Sequence, residues 1–210
     1  MLEGIEVFKH SSIRINKENK VIYIDPYEII GEPHDADIVL CTHTHFDHFS
    51  ENDILKVKKD DTIILATVDA EDKIKSLGFD DDRSLLVIPD KKFSVNKLVI
   101  ETVPAYNVNK NFHKKEYDWV GYIINIEGQR LYIAGDTDVN EDIKKVKCDI
   151  AFLPVGGTYT MTATEAAGLA NEIKPEIAIP IHYGSVVGSK TDAEEFANML
   201  NPKIKCVTFF

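Results

Sequence analysis

"CTHTHFDHFS", residues 41–50, places three histidines and an aspartate within the six positions from His43 to His48, in a chain that holds only seven histidines. A solvated loop has no need of them, and a packed core would strand several imidazoles and a carboxylate at considerable cost. The stretch follows the apolar run "DADIVLCT", residues 35–42, so it lies where a strand ends. In extended backbone His43 and His45 point to the same side, whereas Asp47 and His48 follow a turn. One loop thereby feeds two neighbouring points with imidazole and carboxylate, which are ligands for zinc, manganese or iron.

Working outward, "GIEVFKH", "SIRINKENK" and "VIYIDP" predict a run of short strands ahead of the cluster. After it, "SENDILKVKK" predicts a helix capped by Ser50 with Ile54, Leu55 and Val57 inward, "TIILAT" a strand, and "DAEDKIKSLGF" a helix ending at Gly78. "SLLVIP", "KFSVN", "KLVIETVPA" and "WVGYIINIEGQRLYIAGDT" are read as a second sheet, the last folding as a hairpin about "EGQ". A short helix near "NEDIKKVK", strands "DIAFLPVGG" and "EIAIPIH", helices "TATEAAGLANEIK" and "DAEEFANML", and a terminal strand "IKCVTFF" complete the order. Thr162 and Glu165 are spaced as a capping box. Two sheets with outer helices are implied, within one domain over residues 1–210, since no linker, repeat or low-complexity tract divides the chain. The irregular stretch 107–118 carries His113, Lys114 and Lys115, and loops of this length are often functional.

The formal net charge of −11 disfavours an extended grip on nucleic acid, although bound cations still let an acidic protein accept a small anion. Cys41, Cys148 and Cys206 form no metal-type pair and predict reduced thiols and a cytoplasmic location, with Cys41 as a core thiol. No apolar run is long enough for a membrane span, and the start lacks a signal-peptide pattern. Oligomeric state is not encoded in any of these features. Exposure of Phe209 and Phe210 would point to a dimer contact.

Asp136 in "YIAGDTD" and His182 in "AIPIHYG" close apolar strands beside glycine, where side chains emerge from a sheet edge. "HTHFDH", "GDT" and "IHYG", in that order, resemble the metallo-β-lactamase superfamily over nearly the whole chain. "IDPY" and "PVGGTYTM" are similar to its small metal-dependent hydrolases related to ascorbate-6-phosphate lactonase and N-acylphosphatidylethanolamine phospholipase D. The resemblance implies a four-layer αββα sandwich of two mixed sheets with outer helices. It further implies that His43 and His45 bind a first metal, Asp47, His48 and His182 a second, and that Asp136 bridges both. The third histidine expected for the first metal follows the central strand as "PAxH" in related sequences, and here "VPAYN" puts Asn107 in its place. Three arrangements answer that departure: Asn107 coordinates weakly, His113 folds back from the loop, or water fills the position. His113 is the preferred one.

The chemistry so implied is hydrolysis of a small ester, lactone or phosphodiester by a metal-activated water, with Asp47 and Asp136 as the catalytic carboxylates. Zinc is the first expectation, one or two ions per chain, with manganese or iron as alternatives. Asp25 is read as the hydrogen-bond partner of a ligand histidine. His10, at the place of "GHxS" in related sequences, and Thr158 and Tyr159 in "PVGGTYTM" are candidates for the substrate side. Two other functions compete: a metal-binding or ligand-sensing protein that lost turnover at its incomplete first position, and a nuclease, which the acidic charge and the short interval from Asp136 to His182 disfavour. A secreted β-lactamase is the least favoured reading, since no export signal is read at the start.

Overall fold

The computed structural model describes residues 2–210. The chain divides into two compact units, one running to Ile88 and including Phe209, the other Pro89–Thr208 with Phe210. In the first, β1 (Ile5–Val7), β2 (Ile13–Lys17) and β3 (Lys20–Ile24) pair antiparallel. The β2–β3 hairpin turns through Glu18 and Asn19, both left-handed, the pairing that matches the twist of two-residue hairpins. From β3 the sheet becomes parallel, through β4 (Ala36–Leu40), β5 (Lys58–Thr67) and β6 (Ser84–Val87), in the order β1-β2-β3-β4-β5-β6. The near-continuous burial of β4 is that of a strand covered on both faces. Helices α1 (Glu51–Val57) and α2 (Glu71–Ser76) pack Ile54, Val57 and Ile74 with Val39, Cys41 and Ile64.

Three expectations are corrected in this unit. Leu55 is 46% exposed, because Ile54 and Val57 share the buried face of a seven-residue helix and Leu55 lies off it. The helix stops at Val57, and Lys58 and Lys59 already belong to β5. "SLLV" joins the first sheet, not the second: after α2 the chain returns parallel to β5, pairing Leu65 with Leu85.

The second unit carries a seven-stranded sheet in the order β13-β12-β11-β10-β9-β8-β7. Its strands are β7 (Lys92–Val95), β8 (Leu98–Pro104), β9 (Val120–Ile126), β10 (Gln129–Ile133), β11 (Ile150–Pro154), β12 (Ile177–Ile181) and β13 (Lys205–Cys206). β7 to β10 are antiparallel, and β10 to β13 parallel. Helices α3 (Ala163–Ile173) and α4 (Lys190–Met199) pack on it. Ala163, Ala166, Ala167 and Ala170 give α3 a small-residue buried face, and the Thr162–Glu165 capping box satisfies its first turn. The segment "NEDIKKVK" forms only a 3-10 turn, Ile143–Lys145.

The terminal strand is shorter than the sequence predicts. Val207 still donates to the Ala178 carbonyl, but the next donor on β12 would be residue 180, a proline without an N–H. Phe209 and Phe210 are half-buried, and Phe210 stacks on Tyr183 with ring centroids 4.7 Å apart.

Both sheets are mixed and both carry helices, which makes the chain α/β. In each unit the parallel strands deliver the chemistry-bearing residues from their C-terminal ends. β3 leads to Asp25 and β4 to the cluster 43–48; β8, which runs the same way as β10, leads to Asn107, while β10 leads to Asp136 and β12 to His182.

Candidate metal centre

In the first unit Asp25 is wholly buried and organises the cluster. Its carboxylate accepts from the Thr42 N–H at 2.8 Å, the Thr42 hydroxyl at 2.8 Å and His48 Nδ1 at 2.7 Å. Burial pushes the Asp25 carboxyl up from its ordinary range, and His48 and Thr42 pull the other way. With its own hydrogen donated in the bond to Asp25, the Thr42 hydroxyl oxygen accepts from His43 Nδ1 at 3.0 Å. Both His43 and His48 thereby carry their ring proton on Nδ1 and present Nε2 as a lone pair, the arrangement a metal-ligating imidazole requires.

Asp47 Oδ2 lies 3.0 Å from His10 Nε2 and 3.7 Å from His48 Nε2. One ligand atom each from His10, Asp47 and His48 fall within 4.8 Å of one another. His45, half-buried, sets Nδ1 3.1 Å from His43 Nε2. Cys41 is fully buried and burial pushes its thiol well up, so it stays protonated and serves the core.

In the second unit His113 Nε2 and His182 Nε2 approach the same oxygen, Asp136 Oδ2, at 3.2 and 3.0 Å. All three side chains are buried. Asn107 follows β8 and is hydrogen-bonded to the far side of the intervening loop. Its Oδ1 accepts from the His113 N–H at 3.0 Å and from Nδ1 at 3.1 Å, and its own N–H donates to the His113 carbonyl at 2.6 Å. The Asn107 Nδ2 donates to the Tyr159 carbonyl at 2.9 Å. The loop between is tied by Asp138, which accepts from the Val108 N–H at 3.0 Å and pairs with Lys110 Nζ at 2.5 Å. Tyr159 also meets Phe112 edge-on, while Thr158 is exposed.

His10, Asp25 and His182 adopt left-handed backbone, with φ of 59°, 45° and 58°. Non-glycine residues reach that region at a cost, which the surrounding hydrogen bonds must hold in place. Gly156 protects one of these positions: a Cβ there would lie 2.4 Å from the His182 carbonyl oxygen.

Imidazoles beside carboxylates suit a divalent cation of the zinc, manganese or iron type, and in the first unit His10, Asp47 and His48 bring ligand atoms close enough to share one. His43, His48 and His113 each set Nδ1 on a protein oxygen, which leaves Nε2 for an ion. Thr42 was not singled out from sequence, and its only signal there is its place between an apolar strand end and the first histidine.

A family model described as Beta-lactamase superfamily domain matches residues 4–182. A UPF0173 metal-dependent hydrolase of Methanosphaera stadtmanae is 31% identical over 220 residues, covering 95% of this chain and 92% of that protein. A UPF0173 metal-dependent hydrolase of Pyrococcus abyssi is 28% identical over 219 residues, covering 97% and 94%. A crystal structure of a protein from Parabacteroides distasonis ATCC 8503 matches with a TM-score of 0.82 at 33% identity, covering 97% of this chain and 91% of that one. Igni18, a novel metallo hydrolase from Ignicoccus hospitalis, matches in fold with a TM-score of 0.78 at 21% identity, covering 97% and 93%. With a matching family model over most of its length, the chain belongs to the beta-lactamase superfamily domain family and has the metallo-β-lactamase fold.

Proposed function

We propose that residues 1–210 act as one domain, a metal-dependent hydrolase that cleaves a small, anionic ester, lactone or phosphodiester. In this reading His43, His45, Asp47, His48, His113, Asp136 and His182 are the ligands of its divalent ions. Zinc is the first choice of metal, manganese and iron the alternatives. The family match running through both units and the name shared by the relatives support it. The observation that carries it is the set of Nδ1 contacts: His43, His48 and His113 each place Nδ1 2.7–3.1 Å from a protein oxygen, an arrangement that favours the tautomer with Nε2 as the lone pair for an ion.

A divalent ion held by these groups would supply Lewis acidity and a lowered pKa for water at neutral pH. Asp47, oriented by His10, takes the proton of the attacking water. Asp136, flanked by two imidazoles, fixes the position of the ligand rings. Asp25 and Thr42 keep His43 and His48 in the ligating tautomer. Cys41, Cys148 and Cys206, read as reduced thiols, favour the cytoplasm; among the described residues no helix is long and apolar enough to cross a membrane.

The test is turnover by the protein loaded separately with zinc, manganese and iron(II), on p-nitrophenyl esters, small lactones and bis-p-nitrophenyl phosphate. Turnover of at least one class, falling ~10²- to 10⁴-fold in Asp47→Ala, is expected. Metal-loaded protein inert on all three classes, or Asp47→Ala as active as the parent, overturns the reading.

A further inference from the structure

We infer that Asn107 is a positioning residue, not a ligand: it folds His113 back across the loop and fixes that ring in the tautomer that binds metal. The inference rests on the proposed metal-binding reading and assigns the role of the one position where the sequence departs from the family's pattern.

The hydrogen bonds of Asn107 determine which way its amide faces. The Tyr159 carbonyl only accepts and the His113 N–H only donates, so the atom toward Tyr159 is Nδ2 and the atom toward His113 is Oδ1. Oδ1 then receives two donors, the His113 N–H and Nδ1, which uses both lone pairs of an amide oxygen. None is left for an ion.

An amide oxygen has no proton to give, so His113 Nδ1 must carry the hydrogen of this bond. In the neutral ring Nε2 is therefore a lone pair, facing the Asp136 oxygen at 3.2 Å. Two acceptors at that separation repel unless a positive charge lies with them, and a cation held by His113 and Asp136 satisfies both. The backbone bond from the Asn107 N–H to the His113 carbonyl closes the loop at its base and brings His113 back beside the end of β8.

The experiment is zinc titration of the full chain against a chelating competitor, with the His113 ring tautomer of the metal-free protein read by long-range ¹⁵N–¹H NMR. Asn107→Ala is expected to weaken zinc binding ~10- to 100-fold and to lose the Nδ1–H signature. His113→Ala loses at least as much, and the double variant loses no more than His113→Ala, because Asn107 acts through that ring. Asn107→Asp keeps the accepting oxygen and with it the Nδ1–H signature of His113, although its second oxygen faces the Tyr159 carbonyl where Nδ2 donated. Should Asn107→Ala not fold, His113→Ala and Asn107→Asp decide the matter, with loss of zinc binding in the first and retention of the Nδ1–H signature in the second supporting the assignment. Parent-like zinc affinity in Asn107→Ala, additive losses in the double variant, loss of the Nδ1–H signature in Asn107→Asp, or retention of zinc in His113→Ala overturns it. Zinc-free behaviour of the parent itself would overturn the metal reading along with this one, whereas absence of turnover with these affinities intact would leave only the hydrolase reading refuted.

Discussion

Replacing Asp25 separates what the cluster contributes to stability from what it contributes to metal binding. Alanine at this wholly buried position leaves the Thr42 N–H, the Thr42 hydroxyl and His48 Nδ1 without their acceptor. Three charge-assisted bonds at face value would exceed 4 kcal/mol, but burial of the carboxylate offsets part of that. Breaking a buried pair from one side costs about 3–5 kcal/mol, which lowers the unfolding midpoint by roughly 6–20 °C for a chain of this size. Asparagine behaves differently. Its oxygen still accepts from the Thr42 N–H, while its NH₂ replaces the oxygen that now faces His48 Nδ1. To accept from that NH₂ the ring must move its proton to Nε2, which removes the ligand lone pair. Asp25→Asn is therefore expected to lose only about 1–2 kcal/mol of stability but ~10- to 100-fold in zinc affinity. Thermal unfolding of metal-free protein reads the first quantity and chelator competition the second. Parent-like zinc affinity in Asp25→Asn, or an unshifted midpoint in Asp25→Ala, would refute the reasoning.

Gly156→Ala should cost about 1–3 kcal/mol and weaken metal binding, since its Cβ meets the His182 carbonyl oxygen at 2.4 Å and backbone must give way; unchanged denaturant midpoint and zinc affinity would count against it. Burial pushes Asp53 up, but Lys56, Ser50 and the Ile29 N–H outweigh it and hold the carboxyl below its ordinary 3.8. A depressed value means that the contribution is present above 3.8 and lost as pH falls through the folded value, so the stability gap between parent and Asp53→Asn should shrink between pH 5 and the acid limit. A gap that stays constant in denaturant titrations across that range would sink the assignment. Stripping metal with a chelator should lower the unfolding temperature and abolish hydrolysis, both restored by zinc, by about 2.7 kcal/mol where free metal stands at a hundredfold over its dissociation constant; scanning calorimetry of stripped and reloaded protein checks it.

The strand-end residues were legible in the sequence because a near-continuous apolar run that stops abruptly at polar residues states where a side chain leaves the sheet. "DADIVLCT" before His43, "LYIAGD" before Asp136 and "EIAIPIH" before His182 all follow that rule. Sheet membership was not legible for "SLLV", since a short apolar run pairs equally well with either neighbour until α2 directs it back to β5. Thr42 carries no pattern of its own; its role depends on Asp25, 17 positions earlier, arriving beside it through the parallel pairing of β3 and β4. The His113 fold-back was open for the same reason. Whether a loop histidine returns to the strand end is decided by Asn107, by Asp138 gathering the loop's N–H groups and by the Tyr159 carbonyl, none of which periodicity reports.

The left-handed residues connect these observations. A strand that ends in ordinary extended backbone alternates its side chains and cannot set two successive functional groups toward one point. Turning the chain through positive φ at His10, Asp25 and His182 breaks the alternation where ligands or their partners are needed. Glycine would relieve the cost of about 1–3 kcal/mol at each position, but it carries no imidazole or carboxylate. The surrounding structure holds two of these conformations instead: the Asp25 N–H donates to the Leu40 carbonyl at 2.9 Å, and beside His182 the Val155 N–H donates to the Ile181 carbonyl at 3.0 Å, with Gly156 leaving room for the turn. At Asp25 and His182 the strain thus falls on residues that carry chemistry, and the parallel ladders on which they stand supply the rigidity that offsets it.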